Sequence, residues 1–471
     1  MMQKMVKNEN GSISLFVLLS ALFFLVVVTS VGVSFKNKEA SIDAQFEKTK
    51  SSYEKDVGNE EQVYEETFVP RAIFKTGTQV NAKMKQLAGT EGATYNTEDT
   101  NIKEIKRATE ISAENKIDSN IVSTPESNMP IYMWFDNTNG TIYWYTKDEE
   151  PESNPNSSYM FYKCVKCTNI DVSKIDTSNV TNMGAMFSYC SELKELDVSS
   201  FDTQNVNIMT SMFNRCSQLT RLDIRNFNTS KVTKMSSMFM HCYGLLSLNL
   251  KSFNTSNVTD MTSMFEECTS LISLNITSFD TSKVTTMAYM FDNCNSLTVL
   301  DVSRFNTSNA TNMISMFNRC KKLTSINVSN FNTSKVTNMS GMFYYCTGLT
   351  SLDVSSFDTS KVTNMQHMFR GTNLTNLDLS NFDTSNAIYM YYMFAQCNNL
   401  STIYASDRFV VDKFEKGIDS HGNDINSTDM FEGCINLVGG SGTTYSSSKK
   451  NKTYAHIDEG QSNPGYFTAK T

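Results

Sequence analysis

Cysteine and histidine are the side chains of this chain that could do nucleophilic or metal chemistry, and their spacing argues against both. Of eleven cysteines, ten recur at one place in a repeated Met-Phe-x-x-Cys pentad: Cys164, Cys190, Cys216, Cys242, Cys268, Cys294, Cys320, Cys346, Cys397 and Cys434. Side chains at one position of a repeat face the same way. Neighbouring thiols would then lie close enough in Cα distance to bridge, but with parallel Cβ vectors that do not suit a disulfide. They read as buried free thiols that pack as small hydrophobes. Cys167 is the one outside the repeat, and with Cys164 it makes a single Cys-x-x-Cys, half of a zinc ligand set with no second half. His241 adjoins Cys242, yet a thiol nucleophile also needs an orienting third group. The other histidines, His367, His421 and His456, are scattered. The segment 419–424 resembles a calcium loop but lacks the alternating acidic ligands and the closing glutamate. No Gly-x-Ser-x-Gly, His-Glu-x-x-His or glycine-rich phosphate loop occurs. The expectation is no catalytic residue, no metal, no cofactor and no enzyme.

A second group of residues could bind without reacting. Asp171, Asp197, Asp223, Asn249, Asn275, Asp301, Asn327, Asp353 and Asp378 each stand between two apolar residues of a short alternating run. They therefore point away from whatever those neighbours bury. Two residues before this ladder the position varies: Glu195, Arg221, Ser247, Ser273, Val299, Ser325, Ser351 and Asn376. Variation on a fixed frame is where specificity could be written. The candidate ligand-binding residues are Glu195, Asp197, Arg221, Asp223, Asn249, Asn275, Asp301, Asn327, Asp353, Asn376 and Asp378. A further line, Asp202, Asn228, Asn254, Asp280, Asn306, Asn332, Asp358 and Asp383, follows each repeat phenylalanine and reads as turn-forming. The net charge is −8 and no basic stripe occurs, so nucleic acid is not an expected partner.

The elements that carry these ladders follow from the period. The pentad methionine recurs from Met160 to Met368 in steps of 26 residues, then at Met393 and Met430. A constant period in the twenties marks a solenoid, whose units bury their apolar faces only by stacking. Within one unit, Val180, Met183, Met186, Phe187 and Cys190 form a stripe at helical spacing, and Leu196-Asp197-Val198 alternates like a strand. Each unit is expected to be a strand, a turn and a short helix. The fold class is an α/β solenoid, a leucine-rich-repeat rod or horseshoe with a parallel β-sheet.

The unit, read from Leu349-x-x-Leu352-Asp353-Val354 through Phe357-Asp358-Thr359-Ser360 to Met368, resembles the BspA-like leucine-rich repeat surface proteins of bacteria. The likeness extends from Pro130 to Thr468. It takes in the lead-in Ile131–Asp136 and Gly140–Tyr145, and the close Leu437–Gly440, Tyr454–Asp458 and Pro464–Thr468. One departure is Thr372, which replaces a repeat cysteine. The resemblance implies a cell-surface location and a role in adhesion or in binding host proteins. An extracellular protein or glycan is the expected partner.

Residues 13–33 are almost wholly apolar and long enough to span a bilayer once. The expected organisation is a membrane anchor at 1–35, with a cleaved signal peptide as the alternative reading of that segment, a stalk or linker at 36–127 and a hairpin cap at 128–160. Repeats at 161–404 and a last repeat with its cap at 405–471 follow. Within the linker, residues 36–66 suit a helical stalk, and residues 85–128 read as a poorly packed spacer. The large polar part is placed outside the cell, on a single-pass anchor. Gly11-Ser12-Ile13-Ser14 before the apolar run resembles the start of pilin-like proteins, which suggests a pilus-like appendage component as the alternative role.

Overall fold

A 26-residue unit cannot enclose a core alone, and in every coil the buried residues fall at the same places. Val180, Met183, Met186, Phe187, Cys190, Leu193, Leu196, Val198 and Phe201 are buried, as are most of their equivalents from coil to coil, Leu274, Ile326 and Leu352 being partly buried. The pentad phenylalanines stack nearly parallel along the solenoid, with centroids 5.8 Å apart for Phe187–Phe213 and 5.7 Å for Phe291–Phe317. The structure, a computed structural model, describes residues 71–413 and 429–470. The expected span at 13–33, the stalk helix at 36–66 and the calcium-like loop at 419–424 lie outside the described residues. No helix among the described residues is long and apolar enough to cross a membrane.

The stripe from Val180 to Cys190 is not the helix its spacing predicts. Among the described residues the one α-helix is α1, Gly77–Leu87, ahead of the repeats. Each stripe is a run of turns instead. Met186, Ser188 and Cys190 donate back to the carbonyls of Met183, Ala185 and Phe187. The alternate N–H groups, of Met183, Ala185, Phe187 and Tyr189, donate across to Ile208, Thr210, Met212 and Asn214 of the next coil at 2.7–3.0 Å. Aiming every second peptide along the stack puts Ala185 (φ 52°) and Tyr189 (φ 63°) in the left-handed region. The same two positions are left-handed in the following coils, and glycine supplies them at Gly341, Gly371 and Gly433. A left-handed residue with a side chain costs about 1–2 kcal/mol. The inter-coil hydrogen bond, which a lone unit cannot make, offsets that cost. Apolar groups at i, i+3, i+6, i+7 and i+10 end up on one side in either geometry, which is why the spacing alone reads as helical.

On the other side of the coil the chain is extended, and short parallel strands form. Strand β5 (Ser247–Asn249) pairs with β6 (Ser273–Asn275), and β7 (Asn376–Leu379) with β8 (Thr402–Ala405), all in register at equivalent repeat positions. Between these two sides, the Phe-Asp/Asn-Thr-Ser corner locks coil to coil. The buried Thr255 hydroxyl donates to Asp280 O (2.8 Å) and accepts from Asp280 N (2.8 Å), and most other corners repeat this exchange. The cysteines form no disulfide. Each repeat thiol from Cys190 onward donates to a phenylalanine carbonyl of the preceding coil, as Cys216 Sγ does to Phe187 O at 3.2 Å.

Stacked coils leave carbonyls open at one end and N–H groups at the other, and both ends are covered. Here residues 71–127 depart from the expected linker. Strand β1 (Glu104–Arg107) lies between β3 (Thr141–Tyr145) and β4 (Asn169–Ile170), giving a sheet of order β2-β3-β1-β4 with β2 at Tyr132–Asp136. Helix α1 packs Val80 and Met84 into the core. It also aims two fully buried polar side chains at the open carbonyls. Asn81 Nδ2 donates to Met160 O (3.2 Å) and Tyr162 O (3.0 Å), and Lys85 Nζ to Tyr162 O and Tyr95 O, both 2.8 Å. A cation at the carbonyl end of aligned peptides meets their negative pole, as at a helix C-terminus. The polar composition that suggested a spacer is that of a cap. At the far end β9 (Phe467–Ala469) pairs with β8, Lys450 O accepts from Phe431 N and the Tyr445 hydroxyl accepts from Gly433 N.

Candidate ligand-binding face

Alternation of apolar and polar residues in each extended segment turns one face to the core and one to solvent. Glu195, Asp197, Arg221, Asp223, Asn249, Asp301, Asn327, Asp353 and Asn376 are exposed, while Asn275 and Asp378 are half-buried. Strand pairing sets their register: Asn249 lies beside Asn275, and Asn376 and Asp378 beside Thr402 and Tyr404. The candidates therefore lie on one face. Two shallow concavities sit on it. One, of about 660 Å³, is lined by Glu195, Asp197, Arg221 and Asp223 with Lys106 and Asp171. The other, of about 510 Å³, is lined by Asn327, Asp353, Asn376 and Asp378 with Tyr404 and Lys470. Asn249, Asn275 and Asp301 occupy equivalent positions in the coils between.

Each ladder residue also does structural work that the sequence reading assigned to the second line alone. Asp197 Oδ1 accepts from Ser199 N (2.9 Å), Asn275 Oδ1 from Thr277 N (3.3 Å) and Asp353 Oδ1 from Ser355 N (2.9 Å). These are Asx turns that end each strand. They commit one oxygen and leave the second oxygen of an Asp, or the amino group of an Asn, for other contacts. The serine hydroxyl and N–H two residues on lower the carboxyls of Asp197, Asp301 and Asp353. Arg225 engages both oxygens of Asp223 and holds it down at about 2. Burial raises Asp378, but the Lys470 ammonium and the Ser380 contacts outweigh it and the net shift is downward. The face is thus ionised at neutral pH and carries charges of both signs.

Sequence reasoning missed the side chains on the turn side. The two residues inside each pentad and the two before it lie there, some exposed and others, such as Ser188, Asp292 and Asn318, buried. Tyr344, His367, Arg370 and Tyr392 interleave across coils: His367 stacks on Tyr392 at 5.3 Å, and the Arg370 guanidinium sits 4.7 Å from the same ring. Burial, with Arg370 beside it, pushes His367 down to about 4. In the middle coils burial pushes Asp292 up to about 7, against the Asn318 amide that donates to it at 2.9 Å. Their ring and cation contacts run coil to coil, while His367 Nδ1, Arg370 Nε and Asn318 Oδ1 are buried without a hydrogen-bond partner. The Tyr and Arg residues at the pentad x positions, Tyr162, Tyr189, Tyr344, Arg215, Arg319 and Arg370 among them, were the available signal. No group of three or more His, Cys, Asp or Glu among the described residues is arranged to hold a metal ion.

The family profile described as "Mycoplasma protein of unknown function, DUF285" matches residues 155–273, 242–327 and 322–432, together more than half of the chain. No relative among curated proteins matches the sequence. Among solved structures, a leucine-rich repeat protein from Bacteroides ovatus is 18% identical; the alignment covers 62% of this chain and 78% of that one, with a TM-score of 0.33. A leucine rich cell surface protein from Faecalibacterium prausnitzii is 17% identical over 57% of this chain and 83% of that one, at a TM-score of 0.30. The functional domain of InlJ from Listeria monocytogenes, which includes a cysteine ladder, is 16% identical over 52% of this chain and 64% of that one, at 0.16.

Proposed function

This chain belongs to the DUF285 family, and we propose that it is a membrane-anchored surface protein of leucine-rich-repeat type that binds an extracellular protein or glycan with its exposed strand face. One observation carries the reading: the buried frame is nearly constant from coil to coil, while the exposed row Glu195, Arg221, Ser247, Ser273, Val299, Ser325, Ser351 and Asn376 changes. Stacking needs the frame; it does not need that variety. Residues 13–33 supply the anchor in this reading, with the repeats outside the cell.

Two measurements test it. The full-length chain is screened against extracellular matrix proteins and glycans, and the triple variant Glu195→Ala, Arg221→Ala, Asn376→Ala is compared with it. The expected result is at least a tenfold loss of affinity with the melting temperature unchanged, because all three side chains are exposed. Unchanged affinity moves binding off this face. Protease added to intact cells is expected to release the repeats, and full protection refutes the outside placement.

A further inference from the structure

The strand face does not stop where the repeats begin. Register carries it through β1 onto the cap hairpin: Lys106 pairs with Tyr143, and Tyr143 with Trp134. On the other side of β1, Glu104 and Ile105 pair with Asn169 and Ile170, which sets Lys106 beside Asp171, the first of the Asp/Asn ladder. At the far end Asp378 pairs with Tyr404. The ladder is therefore one row bracketed by aromatic rings: Trp134 and Tyr143 at its start, Tyr404 at its finish. Trp134 and Tyr143 stack at 5.7 Å with an interplanar angle of 23°, and all three rings are partly exposed.

We infer that this row is a linear carbohydrate site, which takes a neutral, equatorially linked polysaccharide chain running along the solenoid axis. The inference rests on the binding role proposed above and names its ligand class. Three features select a glycan. Aromatic faces stack on the C–H face of a pyranose, and the ladder offers hydroxyls one acceptor or donor in most coils, its carboxylates and amides being half-committed to their own turns except at Asp223 and Asp378, where Arg225 and Lys470 take the second oxygen. Spacing is the second. Strands stack about 4.7–4.9 Å apart, nearly one coil per sugar, whereas an extended peptide repeats its side chains on one face only about every 6.6 Å and drifts out of step. Charge is the third: Asp171, Asp197, Asp301 and Asp353 on the row repel a polyanion, Arg225, Lys470 and Lys106 are already paired to Asp223, Asp378 and Glu104, and Arg221 is the one cation among the candidate residues.

The test is calorimetry of the full-length chain with cello-, manno- and xylo-hexaose and the matching trioses, with heparin and an extended peptide as comparators. The expected result is binding of at least one hexaose, at least tenfold tighter than its triose. Because a hexaose covers only about half of the row between Trp134 and Tyr404, the double variant Trp134→Ala, Tyr404→Ala is expected to lose at least tenfold, with Tyr344→Ala on the turn side unaffected. Hexaose and triose binding equally, which needs no variant, overturns the linear site. So does failure of every neutral hexaose, or retention of heparin or the peptide alone. If in those cases Glu195, Arg221 and Asn376 still govern capture of a protein, the surface-binding role stands and only the carbohydrate assignment falls.

Discussion

Raising the pH from 8 to 10 should strongly destabilise this solenoid, and the cause is its thiols. All eleven cysteines are buried and reduced. Burial pushes Cys164, Cys242 and Cys346 from an ordinary 9.0 up to about 12, Cys397 to about 11, and the others well above 9.0. A folded-state value raised above the unfolded one contributes stability that is complete below pH 9 and drains away as pH climbs toward the folded value. At pH 10 an unfolded thiol is largely ionised while its folded counterpart keeps its proton. That difference is ~1.4 kcal/mol per thiol, and ~15 kcal/mol for eleven. Domain stabilities run to about 5–15 kcal/mol, so the loss is comparable to the whole. Lys85 works in the opposite direction. Burial lowers its amine to about 8, so stability rises with pH above that value; one group returns only ~2 kcal/mol by pH 10. The assay is urea unfolding followed by circular dichroism at pH 8, 9 and 10 in the presence of reductant. The double variant Cys268→Ala, Cys294→Ala should start less stable at pH 8 yet lose ~3 kcal/mol less than wild type between pH 8 and pH 10. Equal midpoints at pH 8 and pH 10, or a slope indifferent to the two alanines, would refute the argument.

Two further predictions bear on what holds the coils together. Asn81→Leu leaves Met160 O without its donor under the cap and should cost ~2 kcal/mol, read as a lower urea midpoint, with the first coils losing amide-exchange protection before the rest. Thr255→Val keeps the side-chain shape but removes both bonds to Asp280 and should cost ~2 kcal/mol, whereas Thr255→Ser keeps the hydroxyl and should cost ~1 kcal/mol, a ranking that thermal melts decide.

The period, the buried pentad and the outward polar row were all legible, because each follows from which residue types recur at which spacing. Two readings failed for physical reasons. The helix was inferred from apolar spacing, but what decides between helix and stacked turns is where the N–H groups go. At Ala185 and Tyr189 they go to the next coil, through left-handed residues that carry no glycine to announce them. Gly341, Gly371 and Gly433, recurring at those positions, were the faint signal. The linker was inferred from polarity, yet Asn81 and Lys85 are polar because the surface they cover is a row of carbonyls. A cap over a peptide edge looks like a spacer in composition, and Ile102 and Ile105, both buried, were its apolar trace.

The two faces of the coil divide labour in a way that constrains where evolution can write a binding site. On the turn side, four inter-coil bonds per junction and side-chain pairs such as Asn293 with Glu267 (2.8 Å) and Arg319 over Tyr344 (5.5 Å) tie each residue to its neighbour one coil away. A change there disturbs two coils at once. On the strand side the Asx oxygen is committed, and at Asp223 and Asp378 a cation takes the second oxygen, but the row two residues earlier is committed to little beyond its backbone. Exposed Val299, at 73% accessibility, can stand where Arg221 and Glu195 stand because nothing in the stack depends on it. Substitution is therefore nearly free in stability on the strand face and costly on the turn face. That asymmetry makes the strand face the place where specificity can change without loss of the fold.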